Sequence, residues 1–344
     1  MALSVDRPML CYFDDSLPGI TRRRSGRSWT YFDHRGNRIK DREEIDRLNR
    51  IALPPAYRDA WFCPSPEGHI QAIGYDEKGR KQYRYHADFR AGQEAEKYDR
   101  CLDFGAALPR IRARVADDLS GRSLSKDAVV AAVVRLLDLG RVRIGNASYT
   151  KANKSFGATT LRNRHVEVRG TRLRIEYLGK SGKVQRLTVE DGRLSRVVRR
   201  CQDLPGQNLF QYIDEAGETR AVTSSDVNAY LREASGADFT AKHFRTWGAS
   251  LLAYQALMEA GEDGISLKAM LEPVAHALGN TPAISRKSYV HPALIELAKA
   301  GGLRGARSLP KLPRPTKYLS SAERGLLAFL ETLAEEREST VEAA

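Results

Sequence analysis

Residues 160 to 190 change the period of the chain. In "HVEV", "RLRIEYLG" and "KVQRLTVE" apolar and polar side chains alternate, and Gly-Lys-Ser-Gly at 179–182 separates the last two runs. Alternation marks a half-buried strand, and the glycine-flanked break marks a hairpin turn with Lys180 at its tip. The flanking stretches carry helical spacing instead. "SKDAVVAAVVRLLDLG" offers Ser125 as N-cap, Val130, Val133, Val134 and Leu137 on one face, and Gly140 just past the end. After the hairpin come "SSDVNAYLREASG", then "TAKHFRTWGASLLAYQALMEAG" with Thr240 as cap and Gly261 as stop, then "SLKAMLEPVAHALG". In "TPAISRKSYV", Thr281 is the cap and Pro282 takes the first helical position. A hairpin set among helices makes this part of the chain α+β.

The first ninety residues read differently. Short extended runs such as "SWTYFD" and "HIQAIGYD" lie between Gly, Pro, Asp and Asn, which predicts a small β-rich domain. With 344 residues and cores that rarely grow past roughly 250, two domains are expected. The predicted division is a β-rich N-terminal domain over 1–92, a larger, mainly helical domain over 93–319, and an acidic C-terminal helix or tail over 320–344. A flexible connector is expected near residue 90, and a basic, proline-rich one, "RSLPKLPRPTKY", before the tail.

Charge narrows the partner. The net charge is +13, and the segment from Ser320 onward, with six Glu and two Arg, carries −4, so residues 1–319 hold +17. A folded body with that excess attracts a polyanion, nucleic acid before an acidic membrane. No apolar run approaches the ~18–20 residues of a spanning helix. The start "MALSVDRPMLCYFDDS" lacks a signal-peptide core, so a cytoplasmic protein is expected, held at the nucleoid if DNA is its partner. The four cysteines, at 11, 63, 101 and 201, show no paired spacing and read as reduced, partly buried thiols.

No cofactor is expected. "LGKSGK" contains Gly-Lys-Ser, but a P-loop needs a glycine where this chain has Arg174, so no nucleotide site is predicted. The carboxylates form no divalent-metal pattern, so no metal is predicted either. Chemistry then falls to cations and one oxygen nucleophile: Arg143 in "RVRIGN", Lys180, Arg245 in "KHFRTWG", Asn280 and Tyr289. Singly, each has an ordinary reading as a solvated arginine, a turn lysine, a helix-end asparagine or a half-buried tyrosine. Together they match what metal-free phosphoryl transfer requires: a nucleophile, guanidinium forks for the non-bridging oxygens, and an acid for the leaving oxygen.

Five stretches, "GRKQYRYH", "RIGNASYTKANKSFGATTLRNRHVEV", "YLGKSGKV", "FRTWGA" and "LGNTPAISRKSY", stand in unbroken order from Gly79 to Tyr289. In wording and order they resemble the type IB DNA topoisomerases, in particular their compact poxvirus and bacterial branch. "PGITRRRSGRSWTYFD" upstream also looks like the bacterial members. The resemblance implies a monomeric, recombinase-like α+β fold that forms a clamp around double-stranded DNA. It implies Tyr289 as the nucleophile of a 3′-phosphotyrosyl link, Arg143 and Arg245 on the non-bridging oxygens, and Lys180 as general acid. Gln82, Tyr83 and Tyr85 match major-groove contacts, and Tyr149 a phosphate contact. Asn280 departs from the histidine of the viral enzymes, and its neutral amide gives a weaker bond, ~1 kcal/mol less stabilising than a charge-assisted one.

Two other readings use the same residues. A tyrosine recombinase shares the Arg, Lys, Arg, Tyr logic, but its histidine stands three residues before the second arginine, whereas His243 stands two before Arg245. A basic duplex-binding protein without catalysis would explain the charge but not five catalytic-type residues in order.

Overall fold

The computed structural model describes residues 10–26, 28–121, 123–303 and 311–342. The first nine residues of the start and residues 307–310 of the proline-rich connector lie outside the described residues. The chain divides into two compact units, Met1–Lys97 and Tyr98–Ala344.

The first unit is built on β1 (Ile20–Ser25), β2 (Ser28–Phe32), helix α1 (Arg42–Arg50), β3 (Arg58–Phe62), β4 (Ile70–Tyr75) and β5 (Lys81–Tyr85). Its five strands form one antiparallel sheet in the order β2-β1-β3-β4-β5. Ile20, Tyr31, Phe62 and Ala72 from the sheet meet Leu48 of α1 and Leu53 in a small core. β4 is buried along nearly its whole length, as an inner strand must be, while β5 at the sheet edge is mostly exposed. That edge carries Gln82, Tyr83 and Tyr85.

The connector expected near residue 90 is instead helical. Helix α2 (Ala87–Asp118) runs without a break through that position, and the boundary between the units falls inside it. Beyond the boundary, Cys101, Phe104, Leu108, Ile111 and Val115 are buried at alternating steps of three and four, the spacing of one helical face.

The second unit places α3 (Lys126–Gly140) at its centre. From Ala128 to Val134 every residue is apolar and buried, and with Leu136 and Leu137 nine residues of the helix are buried, as expected of a helix enclosed by others. Ser125 caps it by accepting from the Ala128 amide. The left-handed residue that ends it is Arg141, at φ 52°, and not the glycine one place earlier. A short helix α4 (Ala147–Asn153) follows, then β6 (Val166–Arg169), β7 (Arg172–Leu178) and β8 (Val184–Glu190), an antiparallel sheet in chain order. Leu173, Ile175 and Tyr177 of β7 face inward, in step with Leu187 and Val189 of β8.

Helices α5 (Gly192–Gln202), α6 (Ser224–Ser235), α7 (Ala241–Ala260), α8 (Leu267–Leu278), α9 (Pro282–Ser288) and α10 (Pro292–Lys299) complete the body, with a two-stranded ribbon of β9 (Gln211–Ile213) and β10 (Thr219–Ala221) before α6. α3 packs against α5, α6 and α7. The acidic end forms α11 (Ser321–Glu342), which packs on α7 and buries Leu326 and Leu330 in the same core. A cluster of buried charges holds it there: Arg112 donates to Asp138 of α3 at 2.8 and 2.9 Å and to Glu323 of α11 at 2.7 and 3.1 Å. The acidic end thus packs as a helix within the second unit.

Three of the four cysteines are buried; Cys11 is exposed, against expectation. Among the described residues, no helix is long and apolar enough to cross a membrane.

Candidate active site

Arg143 enters the site from the end of α3. The left-handed turn at Arg141 breaks the helix, and the strand-like stretch that follows is pinned by the amides of Ala158 and Thr159, which donate to the carbonyls of Arg143 and Ile144 at 2.8 and 2.7 Å. Arg245 comes from the first turns of α7, where it is only 5% exposed. One of its terminal nitrogens donates to the carbonyl of Arg141 and the other to that of Leu278, the latter at 3.1 Å. These two carbonyls hold a buried cation in place without neutralising it. Burial draws the Arg245 pKa down from the usual guanidinium value, and the nearby Tyr289 hydroxyl opposes that shift.

Tyr289 caps the C-terminal end of α9, and the fully buried Val290 behind it anchors the backbone. Arg143 Nη1 donates to the Tyr289 hydroxyl at 3.0 Å, and the Arg245 guanidinium lies 4.9 Å from the centre of the same ring. Burial by itself pushes the Tyr289 hydroxyl up. The charges of Arg245 and Arg143, with their hydrogen bonds, outweigh it and hold the pKa below the ordinary tyrosine value. The phenolate is the form this pair favours.

Asn280 follows the left-handed Gly279 that ends α8. Its Oδ1 accepts from Arg143 Nη2 at 3.1 Å, while its Nδ2 is buried with no partner. A buried donor without a partner is costly in a resting protein and is what a site keeps for an oxygen still to arrive. Lys180 is exposed in the tight turn between β7 and β8, where Ser181 takes φ 63°. A cavity of about 580 Å³ is lined by Arg143, Lys180, Arg245, Asn280 and Tyr289 together.

The remaining expected residues lie elsewhere. Tyr149 is on α4 and 37% exposed, outside the lining of that cavity. In the first unit the rings of Tyr83 and Tyr85 stack at 5.8 Å on the outer edge of the sheet, and Gln82 Nε2 donates to Asp76 at 3.1 Å. Sequence reasoning missed the supports: the Arg141 and Leu278 carbonyls, which no motif advertises, and Tyr177, a buried residue of the cavity lining whose pKa burial pushes up to about 12. The alternation of β7 did point Tyr177 inward, but nothing in it said toward what.

The family model for the catalytic core of eukaryotic DNA topoisomerase I matches residues 86–298, and that for the N-terminal domain of bacterial DNA topoisomerase IB matches residues 28–76. DNA topoisomerase 1B of Acanthamoeba polyphaga mimivirus is 33% identical over 294 residues, covering 82% of this chain and 88% of the viral protein. The chain belongs to the type IB DNA topoisomerases. It is therefore a DNA-binding isomerase. DNA topoisomerase 1B of vaccinia virus (strain Copenhagen) is a more distant relative, 22% identical over 66% of this chain and 72% of its own length. A solved structure of the XerH site-specific recombinase bound to its difH substrate aligns over 55% of this chain and 49% of its own, at 16% identity and a TM-score of 0.36. The match to the catalytic-core model spans every residue of the cavity and both supports of Arg245.

Proposed function

We propose that this type IB topoisomerase relaxes positive and negative supercoils by cutting one strand of duplex DNA, letting it rotate, and resealing it. The Tyr289 oxygen attacks a backbone phosphorus and gives up its proton to water. A bond from phosphorus to tyrosine forms while the bond to the 5′ oxygen breaks, and Lys180 passes a proton to that oxygen, which leaves as a free 5′ hydroxyl. The enzyme then holds the 3′ end as a phosphotyrosine until the 5′ hydroxyl attacks and the same steps run backwards.

One phosphodiester is exchanged for another, so the cycle proceeds without ATP, and the cations of the site take the part a metal plays elsewhere. Arg143 and Arg245 offset the charge that develops on the non-bridging oxygens, and Asn280 Nδ2 supplies a neutral hydrogen bond to one of them. Gln82, Tyr83 and Tyr85 of the first unit contact the major groove, and Tyr149 of the second contacts a phosphate. The 1–92 region thus serves binding and 93–319 catalysis. The enzyme acts as a monomer on DNA in the cytoplasm, since one chain carries every side chain the exchange uses.

The observation that carries this reading is the Arg143 hydrogen bond to Tyr289 at 3.0 Å inside a cavity shared with Lys180, Arg245 and Asn280. Relaxation of plasmid of either sign, in EDTA without ATP, tests it. The intact protein relaxes both, and Tyr289→Phe binds DNA but relaxes neither; equal relaxation by the Phe variant would refute the reading.

A further inference from the structure

Two glycines stand immediately before two of the proposed site residues: Gly179 before Lys180 and Gly279 before Asn280. One side chain occupies the space beside both. A methyl group on Gly179 would meet Cγ of Gln185 at 2.8 Å, and one on Gly279 would meet its Oε1 at 2.5 Å and Nε2 at 2.6 Å. Gly279 has a second reason to be glycine, its φ of 63°. Gly179 has none in its backbone, at φ −88°, so the contact with Gln185 is what excludes a side chain there.

Gln185 is the polar member of an otherwise apolar inward row. It pairs across the hairpin with Tyr177 and precedes Leu187 and Val189 on the same face of β8. Its stem lies on the hairpin tip and its amide on the end of α8, and all three parts line the cavity. From this juxtaposition we infer that Gln185 is a positioning residue: it braces the exposed turn carrying Lys180 against the helix junction carrying Asn280. Within itself the turn is closed by two backbone bonds, from the Gly179 amide to the Lys183 carbonyl at 2.8 Å and from the Gly182 amide to the Gly179 carbonyl at 3.1 Å, and neither ties it to α8. The inference rests on Lys180 being the acid for the leaving 5′ oxygen.

That dependence supplies the test. A substrate with sulfur in place of the bridging 5′ oxygen loses its leaving group as a thiolate and needs no proton, so it cleaves without a general acid. Single-turnover cleavage of the oxygen and sulfur substrates is measured for the intact enzyme, Lys180→Ala, Gln185→Ala and Gln185→Met. A brace misplaced by about 1 Å costs ~100-fold, so Gln185→Ala slows the oxygen substrate by ~10- to 100-fold. On the sulfur substrate its deficit shrinks to within about threefold of the intact enzyme, as does that of Lys180→Ala, because neither then lacks anything the step uses. Methionine matches the length of the stem, so Gln185→Met stays within about fivefold on oxygen.

Equal slowing of Gln185→Ala on both substrates, while Lys180→Ala is rescued by sulfur, overturns the brace and leaves the acid standing. Wild-type cleavage of the oxygen substrate by Gln185→Ala overturns it too, as does a Met variant as slow as Ala. Failure of sulfur to rescue Lys180→Ala overturns the acid assignment, and the brace with it.

Discussion

Arg143 Nη1 stands 3.0 Å from the Tyr289 hydroxyl, and the remaining terminal nitrogen of the same guanidinium bonds to Asn280 at 3.1 Å. A planar fork can serve both because its two donors diverge at a fixed angle, which an ammonium cannot copy. Arg143→Ala is expected to slow single-turnover cleavage by ~10²–10³-fold, the cost of one preorganised donor at a developing charge, with little change in DNA affinity. Arg143→Lys should recover only part of it. Filter binding beside quenched-flow cleavage separates the two effects, and a loss confined to binding would contradict the assignment.

The pH dependence follows from the same contacts. Burial raises the Tyr289 pKa, and the charges of Arg245 and then Arg143 bring it below the ordinary value for tyrosine, about 10. With Arg245→Ala, burial is opposed by one cation fewer and the phenol titrates at higher pH. Ultraviolet titration, taken as the difference between each protein and its Tyr289→Phe counterpart, reads this single hydroxyl. The cleavage rate should shift along the pH axis in the same direction; an unmoved titration would show that Arg245 does not act on the nucleophile.

Asn280 tests how much the missing charge matters. Its Nδ2 is a buried donor with no partner, so Asn280→Ala removes a bond available to the transition state and should slow cleavage by roughly tenfold, about 1–1.5 kcal/mol. Asn280→Asp should be worse than Ala. A carboxylate there pairs with Arg143 and repels the phosphate. Finding Asp as active as Asn in single-turnover cleavage would remove Asn280 from the site chemistry.

Away from the site, the charge cluster of Arg112, Asp138 and Glu323 predicts a stability effect. The Glu323 side chain is 7% exposed and that of Arg112 16%, so Glu323→Ala leaves a buried guanidinium short of a partner at a cost of ~3–5 kcal/mol. The denaturant midpoint should fall accordingly. Burial raises the Glu323 pKa, but Arg112 outweighs this and holds the carboxyl below its usual range. Its contribution is therefore complete above the ordinary glutamate value of about 4.3 and is lost as the pH falls through the lowered one. A Glu323→Ala midpoint equal to wild type would mean that α11 is held by its apolar face alone.

Local signals carried much of the fold. Ser125, Thr240 and Thr281 stand at N-caps where their positions before apolar periods predict them, and the hairpin turns at Gly-Lys-Ser-Gly. What failed to show was long-range. A left-handed Arg141 breaks the rule that glycine fills that region, and what its carbonyl accepts from, the Arg245 guanidinium, stands on a helix about a hundred residues away. The acidic end reads as a helix or tail with no stated place in the fold, because Glu323 meets Arg112 only in the folded chain. Helix α2 crosses residue 90 in a stretch whose mixed polarity gives no strong period. Arg143, Lys180, Arg245, Asn280 and Tyr289 were named by motif and order alone, yet the sequence says nothing of the fork that ties three of them or of Gln185 beside two.

The most direct measurement is the site of the covalent bond. A short duplex whose 5′ leaving fragment diffuses away traps the cleaved state, and digestion followed by mass spectrometry locates the nucleotide adduct. The account predicts a 3′-phosphonucleotide on the peptide containing Tyr289, absent from Tyr289→Phe. An adduct on any other residue, or cleavage with a free 3′ end, would contradict it.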